Sequence, residues 1–282
     1  MDSLLNLLNK SSEFLTAKGV PQARLDAELI FAHTLNCKRL DLYLQFERPI
    51  TPSEADLLRP LIVRRSKREP LQYILSSTEF FGLTLKCDSR GLIPRPETEE
   101  LVEHLVESYK SDSPSEILDL GTGSGCLGLA LAKAFPEAKV TLVDQSADAL
   151  KLAEENANSN GLSERTIMIQ SDWLSMLHGK KFDLIVSNPP YLTEAEWESA
   201  EPEVSDHEPK AALVGGGDDG GDDLRRIITE APDFLNAGGM LGMETGINQH
   251  SSLKETASVT GLSDFRSEND LSGRPRFVFA RR

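Results

Sequence analysis

Apolar side chains recur at helical rather than alternating spacing through the first 75 residues. Leu4, Leu5, Leu7 and Leu8 precede Phe14 and Leu15, and Leu25, Leu29 and Ala32 recur in ARLDAELIFAHTL. At Thr51-Pro52-Ser53-Glu54 three start signals coincide. Thr51 can cap, Pro52 suits the first helical position, and Glu54 completes a capping box. Leu57, Leu58, Leu61 and Ile62 then supply a buried stripe. The pattern predicts a small helical bundle over 1–75.

Over 76–96 the pattern shortens. TEFFGLTLKCDSRGLIP holds β-favouring runs around Gly82 and Asp88-Ser89-Arg90-Gly91, which predicts a β-hairpin linker. Pro94 and Pro96 stiffen its exit, and PETEELVEHLVESY opens a helix. From Ile117 onward, strand and helix patterns alternate through 97–282. EILDLGTGSG enters a glycine turn before the helix CLGLALAKAF, and KVTLVD precedes the helix ADALKLAEENANSNG. TIMIQSD, FDLIVSNPP and GGMLGMETG follow as strands, with two short candidates around Phe265 and in RFVFA. A helix is expected near 222–236, inside the long stretch between Tyr191 and Gly238. Alternation of this kind predicts an α/β fold, a doubly wound, mostly parallel sheet that binds ligands beyond its strand C-termini.

Composition narrows the function classes. The 282 residues carry 30 Lys+Arg against 45 Asp+Glu, a net charge of −15. A protein that tracks a phosphate backbone needs a basic face, so direct nucleic-acid binding is disfavoured. Cys37, Cys87 and Cys126 are odd in number and widely spaced, which argues against a disulfide framework and for a reducing compartment. The first thirty residues include Asp2, Lys10, Glu13 and Arg24, so they lack the unbroken apolar core of a signal peptide. No apolar run approaches the roughly 18 residues that cross a bilayer. The expectation is a cytoplasmic monomer without a membrane partner. The five histidines show no metal-ligand spacing, so no metal is expected.

Asp119-Leu120-Gly121-Thr122-Gly123-Ser124-Gly125 closes a strand and opens a helix. Its glycines let backbone approach a ligand, and the helix N-terminus offers free N–H groups. Gly123-Ser124-Gly125-Cys126-Leu127-Gly128 also satisfies the dinucleotide fingerprint, so an oxidoreductase reading must be weighed. The next strand ends at Asp144, placed to accept from both hydroxyls of a ribose, or else to cap the helix as Ser146 could. The third strand ends in Ser171-Asp172-Trp173. Trp173 could wall an adenine pocket, with Asp172 accepting from the exocyclic amine; a core tryptophan is the alternative.

Asn188-Pro189-Pro190-Tyr191 follows the fourth strand, FDLIVS. An amide or aromatic –NH2 is a poor nucleophile and gains positive charge as it is alkylated. Acceptors fixed around its hydrogens both orient it and stabilise that charge. The Asn188 side-chain oxygen and the Pro189 carbonyl can serve, since each precedes a proline and is pushed into an extended conformation. Tyr191 could lie against the flat group. Asn188, Pro189 and Tyr191 are the catalytic candidates, and Pro190 joins them in binding substrate.

These motifs together resemble the HemK/PrmC family of peptide chain release factor glutamine methyltransferases. The resemblance covers essentially the whole chain: ARLDAELI, LIPRPETEELVE, DLGTGSGC, SDW, FDLIVSNPPY, HEPKAAL, METG with Gln249, and DLSGRPRFV. It implies a class I, Rossmann-like methyltransferase domain of seven strands behind a helical domain that docks the partner. It implies S-adenosyl-L-methionine held by Gly121 to Gly125, Asp144, Trp173 and Asn188, beside the Asp172 acceptor read from the strand end. The implied substrate is the glutamine of the Gly-Gly-Gln loop in class I release factors, held by Asn188, Pro189, Pro190 and Tyr191. Lys210 stands where the family usually has arginine, and GGGDDGGDD carries extra glycine and acid.

An adenine-amino methyltransferase acting on DNA or RNA is the alternative, because adenine presents the same planar –NH2. A cofactor-binding protein without catalysis is a third reading. Arg95 and Glu97 could close over substrate or bridge two domains. The basic run Arg64-Arg65-Ser66-Lys67-Arg68 suits a helix C-terminus, where cations face the dipole, or a docking patch.

Overall fold

In the computed structural model, which describes residues 2–282, five helices form before Ser77. They are α1 (Leu4–Ala17), α2 (Ala23–Thr34), α3 (Arg39–Tyr43), α4 (Pro52–Ser66) and α5 (Leu71–Leu75). Ser3 caps α1, and Thr51 caps α4 in a reciprocal box with Glu54, with Pro52 in the first turn. Leu4, Leu8 and Leu15 of α1 pack with Ala27, Ile30 and Phe31 of α2 and with Leu58 and Ile62 of α4. The buried face of α2 therefore runs through Ala27 and Phe31, while Leu25 and Leu29 are only half-buried. Of the stripe expected on α4, Leu57 is exposed and Leu61 partly so.

Residues up to Ser76 form one compact unit together with Glu201–His207. The remainder, Ser77–Ala200 and Glu208–Arg282, forms the second unit. Within the first, the basic run at the end of α4 is neutralised locally. Arg64 pairs with Glu69, and Arg68 with Glu201 and Glu203. Arg65, buried, lies between Asp26 at 2.7 Å and Glu203 at 2.8 Å. Carboxylates, beyond any helix dipole, hold these three arginines.

The second unit opens with a hairpin, β1 (Ser77–Phe80) against β2 (Leu83–Lys86). Phe81 and Gly82 turn it with φ of 48° and 68°, the positive pair a tight two-residue turn requires. There follow α6 (Pro96–Ser108), β3 (Glu116–Leu120), α7 (Cys126–Ala134), β4 (Lys139–Asp144), α8 (Ala147–Ser159), β5 (Thr166–Gln170) and β6 (Phe182–Ser187). Next come α9 (Glu194–Glu198), then α10 (Pro202–Ser205) of the first unit, and α11 (Asp222–Glu230). The chain ends with β7 (Leu235–Glu244), α12 (His250–Ser258), β8 (Ser263–Asn269) and β9 (Pro275–Arg281).

Seven strands pair in the order β5-β4-β3-β6-β7-β9-β8, parallel except where β9 runs antiparallel to β7 and β8. The central strands are apolar on both faces. Leu184 and Val186 of β6 enter the core under α6, α7 and α8, and Ile185 enters the core under α11 and α12. This is the doubly wound, mostly parallel α/β sheet that the alternating pattern predicts. The order reverses at β3, whose neighbours are β4 and β6, and a crevice opens beyond strand ends at such a point.

Candidate active site

At that crevice the loops after β3, β4, β5 and β6 enclose a cavity of about 310 Å³. Gly121, Thr122, Gly123 and Ser124 form one side of it, and Asp144, Asp172, Trp173, Asn188 and Pro190 also line it. Gly121, Gly123 and Gly125 all adopt positive φ. A Cβ on Gly121 would sit 3.2 Å from the Trp173 ring, so glycine there lets the indole close over the turn.

Asp144 does not cap α8. Ser146 does, accepting from Ala149 N–H. The Asp144 carboxylate instead accepts the N–H of Gly123 at 2.9 Å and of Ser146 at 2.8 Å. Burial raises its pKa, and those N–H groups oppose the rise. Each carboxylate oxygen retains a lone pair for a ligand hydroxyl. Trp173 holds φ of 48°, uncommon for a bulky residue, and its indole N–H donates to Asp223 at 3.0 Å.

Asp172 lines the cavity, but a side chain remote in sequence holds it there. Both its oxygens accept from the Arg226 guanidinium, at 2.8 and 3.0 Å, so it is engaged at the rim. Gly125 is absent from the lining and serves packing: a Cβ there would meet Ala153 and Leu129 at 3.1 Å. Pro189 is buried behind the wall. Tyr191 is also outside it, with its ring packed on the core below α11 and α12 and its hydroxyl donating to Glu244 at 3.0 Å. The ring therefore does not flank the cavity, because its polar end is drawn inward to a buried acceptor.

Four groups around the site escaped the sequence reading of roles. Asp119 is fully buried, and its Oδ2 accepts the Thr122 hydroxyl at 2.5 Å and the Gly128 N–H at 2.9 Å. Burial pushes its pKa up to about 7. Its place at the head of the glycine motif was a usable signal. Thr98 receives a hydrogen bond from Asn188 Nδ2 at 3.2 Å and donates to Glu244 at 2.7 Å. Burial raises the Glu244 pKa, opposed by Thr98, Tyr191 and Arg276. Glu208, buried, accepts Ile93 N–H at 3.1 Å and pairs with Arg95, fixing the Leu92–Arg95 stretch that lines the cavity. Thr98, Glu208 and Glu244 fall within LIPRPETEELVE, HEPKAAL and METG, but spacing alone gave none of the three a role.

Arg95 and Glu97 bridge no domains. Their partners, Glu208 and Arg274, belong to the same unit. Lys210 pairs with Glu194 at 2.6 Å and lies 4.1 Å from the centre of the Trp197 ring.

A seven-strand sheet in this order, with a glycine turn at the switch point and Asn-Pro-Pro-Tyr at the neighbouring strand end, defines a class I methyltransferase. A methyltransferase from Pyrococcus furiosus shares the fold, with a TM-score of 0.52, 20% identity, and coverage of 71% of this chain and 89% of that one. The profile of the PrmC N-terminal domain matches residues 6–75, and that of the methyltransferase small domain matches 96–218. The release factor glutamine methyltransferase of Geobacter sulfurreducens is 41% identical over 99% of this chain and 96% of its own length. That of Leptospira interrogans is 39% identical over 100% and 99%. The chain belongs to the release factor glutamine methyltransferase family.

Proposed function

We propose that the protein methylates the side-chain amide nitrogen of the glutamine in the Gly-Gly-Gln loop of class I peptide chain release factors. One observation carries the reading: Asn188 and Pro190 line the same cavity as the glycine turn, Asp144 and Trp173. The cavity suits S-adenosylmethionine as methyl donor. Asp144 offers acceptors to ribose hydroxyls, and Trp173 offers an aromatic wall beside Gly121. The glycine turn allows close backbone approach. Bound there, S-adenosylmethionine supplies an electrophilic methyl on a positively charged sulfur.

The chain's own residues do the rest. Asn188 accepts from the substrate –NH2 and fixes its direction, and the same oxygen stabilises the charge that grows on nitrogen. The alkylated nitrogen sheds its proton readily, so no strong base is needed. Pro189 and Pro190 stiffen this strand end, since neither has an N–H and both have restricted φ. Among the described residues no helix is long and apolar enough to cross a membrane. We place the reaction in the cytoplasm, where release factors act, with the helical unit of 1–75 docking the partner.

The test is to incubate the protein with a recombinant class I release factor and methyl-labelled S-adenosylmethionine, then map the label. Label on the Gly-Gly-Gln glutamine is expected, lost in Asn188→Ala while cofactor binding persists. Label appearing on adenine in duplex DNA or RNA, with none on the release factor, would overturn the proposal.

A further inference from the structure

Behind Asn188 two branches of hydrogen bonds converge on Glu244. Arg276 donates through Nη1 to the Tyr191 hydroxyl at 3.2 Å, and Tyr191 donates to Glu244 Oε1 at 3.0 Å. From the other side, Asn188 donates through Nδ2 to the Thr98 hydroxyl at 3.2 Å, and Thr98 donates to Glu244 Oε2 at 2.7 Å. Every hydrogen points toward Glu244. While Glu244 is ionised it can only accept, so the Thr98 hydroxyl must donate to it; the Arg276 guanidinium can only donate, so the Tyr191 hydroxyl also turns to Glu244. Glu244 is 1% exposed and Thr98 is 1% exposed, so no bulk water is on hand to reverse a bond.

The consequence reaches the cavity. An asparagine amide can present either its oxygen or its –NH2 to a ligand, and a rotation of half a turn exchanges them. Here the Thr98 hydrogen is committed to Glu244, so Thr98 can offer Asn188 only an acceptor. Nδ2 must face Thr98, and Oδ1 is what Asn188 has left to offer a substrate.

We propose that Thr98 and Glu244 are positioning residues that lock the Asn188 amide with its oxygen available, so that the site accepts an N–H donor and turns away groups that can only accept. The inference rests on the glutamine-methylation reading for its substrate, but not for the geometry it asserts. On the same logic Tyr191 contributes from behind the wall, by holding the second carboxylate oxygen, and not by stacking on substrate.

Three variants separate positioning from packing. Thr98→Ser keeps both bonds and loses a methyl group. Thr98→Val keeps the shape and removes both bonds. Glu244→Gln keeps the volume but presents an –NH2 to one hydroxyl, which can reverse the chain. Thr98→Ser is expected to stay within about threefold of wild type in kcat. Thr98→Val and Glu244→Gln are expected to lose about 100-fold in kcat, the scale of one misplaced group at a reacting centre. KM for the release factor and the cofactor Kd by calorimetry should hold within about threefold.

A second readout needs no turnover. In the wild-type protein the Asn188 side-chain –NH2, followed by 1H–15N NMR, should show one proton protected from exchange. That protection should vanish in Thr98→Val and Glu244→Gln. Equal losses in Thr98→Ser and Thr98→Val, or an Asn188 signal unchanged by Thr98→Val, would overturn the proposal. If wild-type protein labels some substrate other than glutamine, the functional reading fails while the NMR arm still decides the orientation of Asn188.

Discussion

Asp144, at the end of β4, accepts the backbone N–H of Gly123 at 2.9 Å, and so ties the acidic strand end to the glycine turn after β3. One side chain thereby shapes the turn and lines the cavity. Removing it in Asp144→Ala frees Gly123 and deletes the acceptors offered to a ribose. Hydrogen bonds to a charged group contribute about 1.5–3 kcal/mol. Affinity for S-adenosylmethionine should fall about 10- to 100-fold by calorimetry, with the fold retained by circular dichroism. An unchanged Kd would remove Asp144 from the cofactor site.

Asp119 gives the site a pH signature. Its folded pKa, near 7, lies above the ordinary carboxylate value because burial disfavours the charge. The folded state thus holds a proton that the unfolded state releases between pH 4 and 7. Stability from this group is full below that window and declines as pH rises through it, by at most about 4 kcal/mol. Both donors, Thr122 and Gly128, reach the same oxygen, so Asp119→Asn can keep both bonds with one amide oxygen. The variant should match wild type near pH 4 and gain in relative melting temperature as pH climbs to 7. A difference flat across that range would show that burial does not raise the Asp119 pKa above its unfolded value.

What the sequence made legible was what local rules govern. The capping box at Thr51 and Glu54 formed because its chemistry is complete within four residues. The sheet was legible because β3, β4 and β6 are apolar runs bounded by turns, and their alternation with helices leaves few topologies. The glycine turn and Asn188 fall in one cavity because a doubly wound sheet brings successive strand ends together. The side-chain partners of Tyr191 and Asp172 were not legible, for a shared reason. Their partners, Glu244 and Arg226, lie 53 and 54 positions away in sequence, and no spacing rule connects them. The α2 face was misplaced because Asp26 and Glu28 are buried with partners, which disguises the apolar stripe.

Arg65 tests how the helical unit is held. Its side chain is 6% exposed and touches two carboxylates, Asp26 and Glu203. Removing one partner from such a cluster strands the others, at a cost of about 3–5 kcal/mol. Arg65→Ala should therefore unfold this unit at markedly lower urea, read by hydrogen exchange in α2 and α4. Arg59→Ala is the control, because Arg59 and Asp56 are both more than two-thirds exposed. Exposed pairs contribute about 0–1 kcal/mol. Equal effects of the two variants would mean that the buried cluster does not hold the unit.

Gln249 fastens the end of the Asn-Pro-Pro-Tyr segment to the acidic glycine loop. Its Nε2 donates to the carbonyls of Tyr191 at 2.9 Å and Asp219 at 2.7 Å, and its Oε1 accepts Gly246 N–H at 2.9 Å. The residue is buried, so water cannot replace these bonds. Gln249→Glu preserves size and the bond from Gly246, yet turns an acceptor toward two carbonyl oxygens. A proton taken up by the new carboxyl could satisfy only one of them. Leaving buried groups unpaired costs about 1–3 kcal/mol each, so the melting temperature should fall, and fall further as pH rises and the carboxyl ionises. KM for the release factor should increase as the loop loosens, while cofactor affinity holds, since Gln249 bonds neither to Asp144 nor to the glycine turn. A variant that melts like wild type and keeps its KM would show that the loop is held by other contacts, leaving Gln249 without the fastening role.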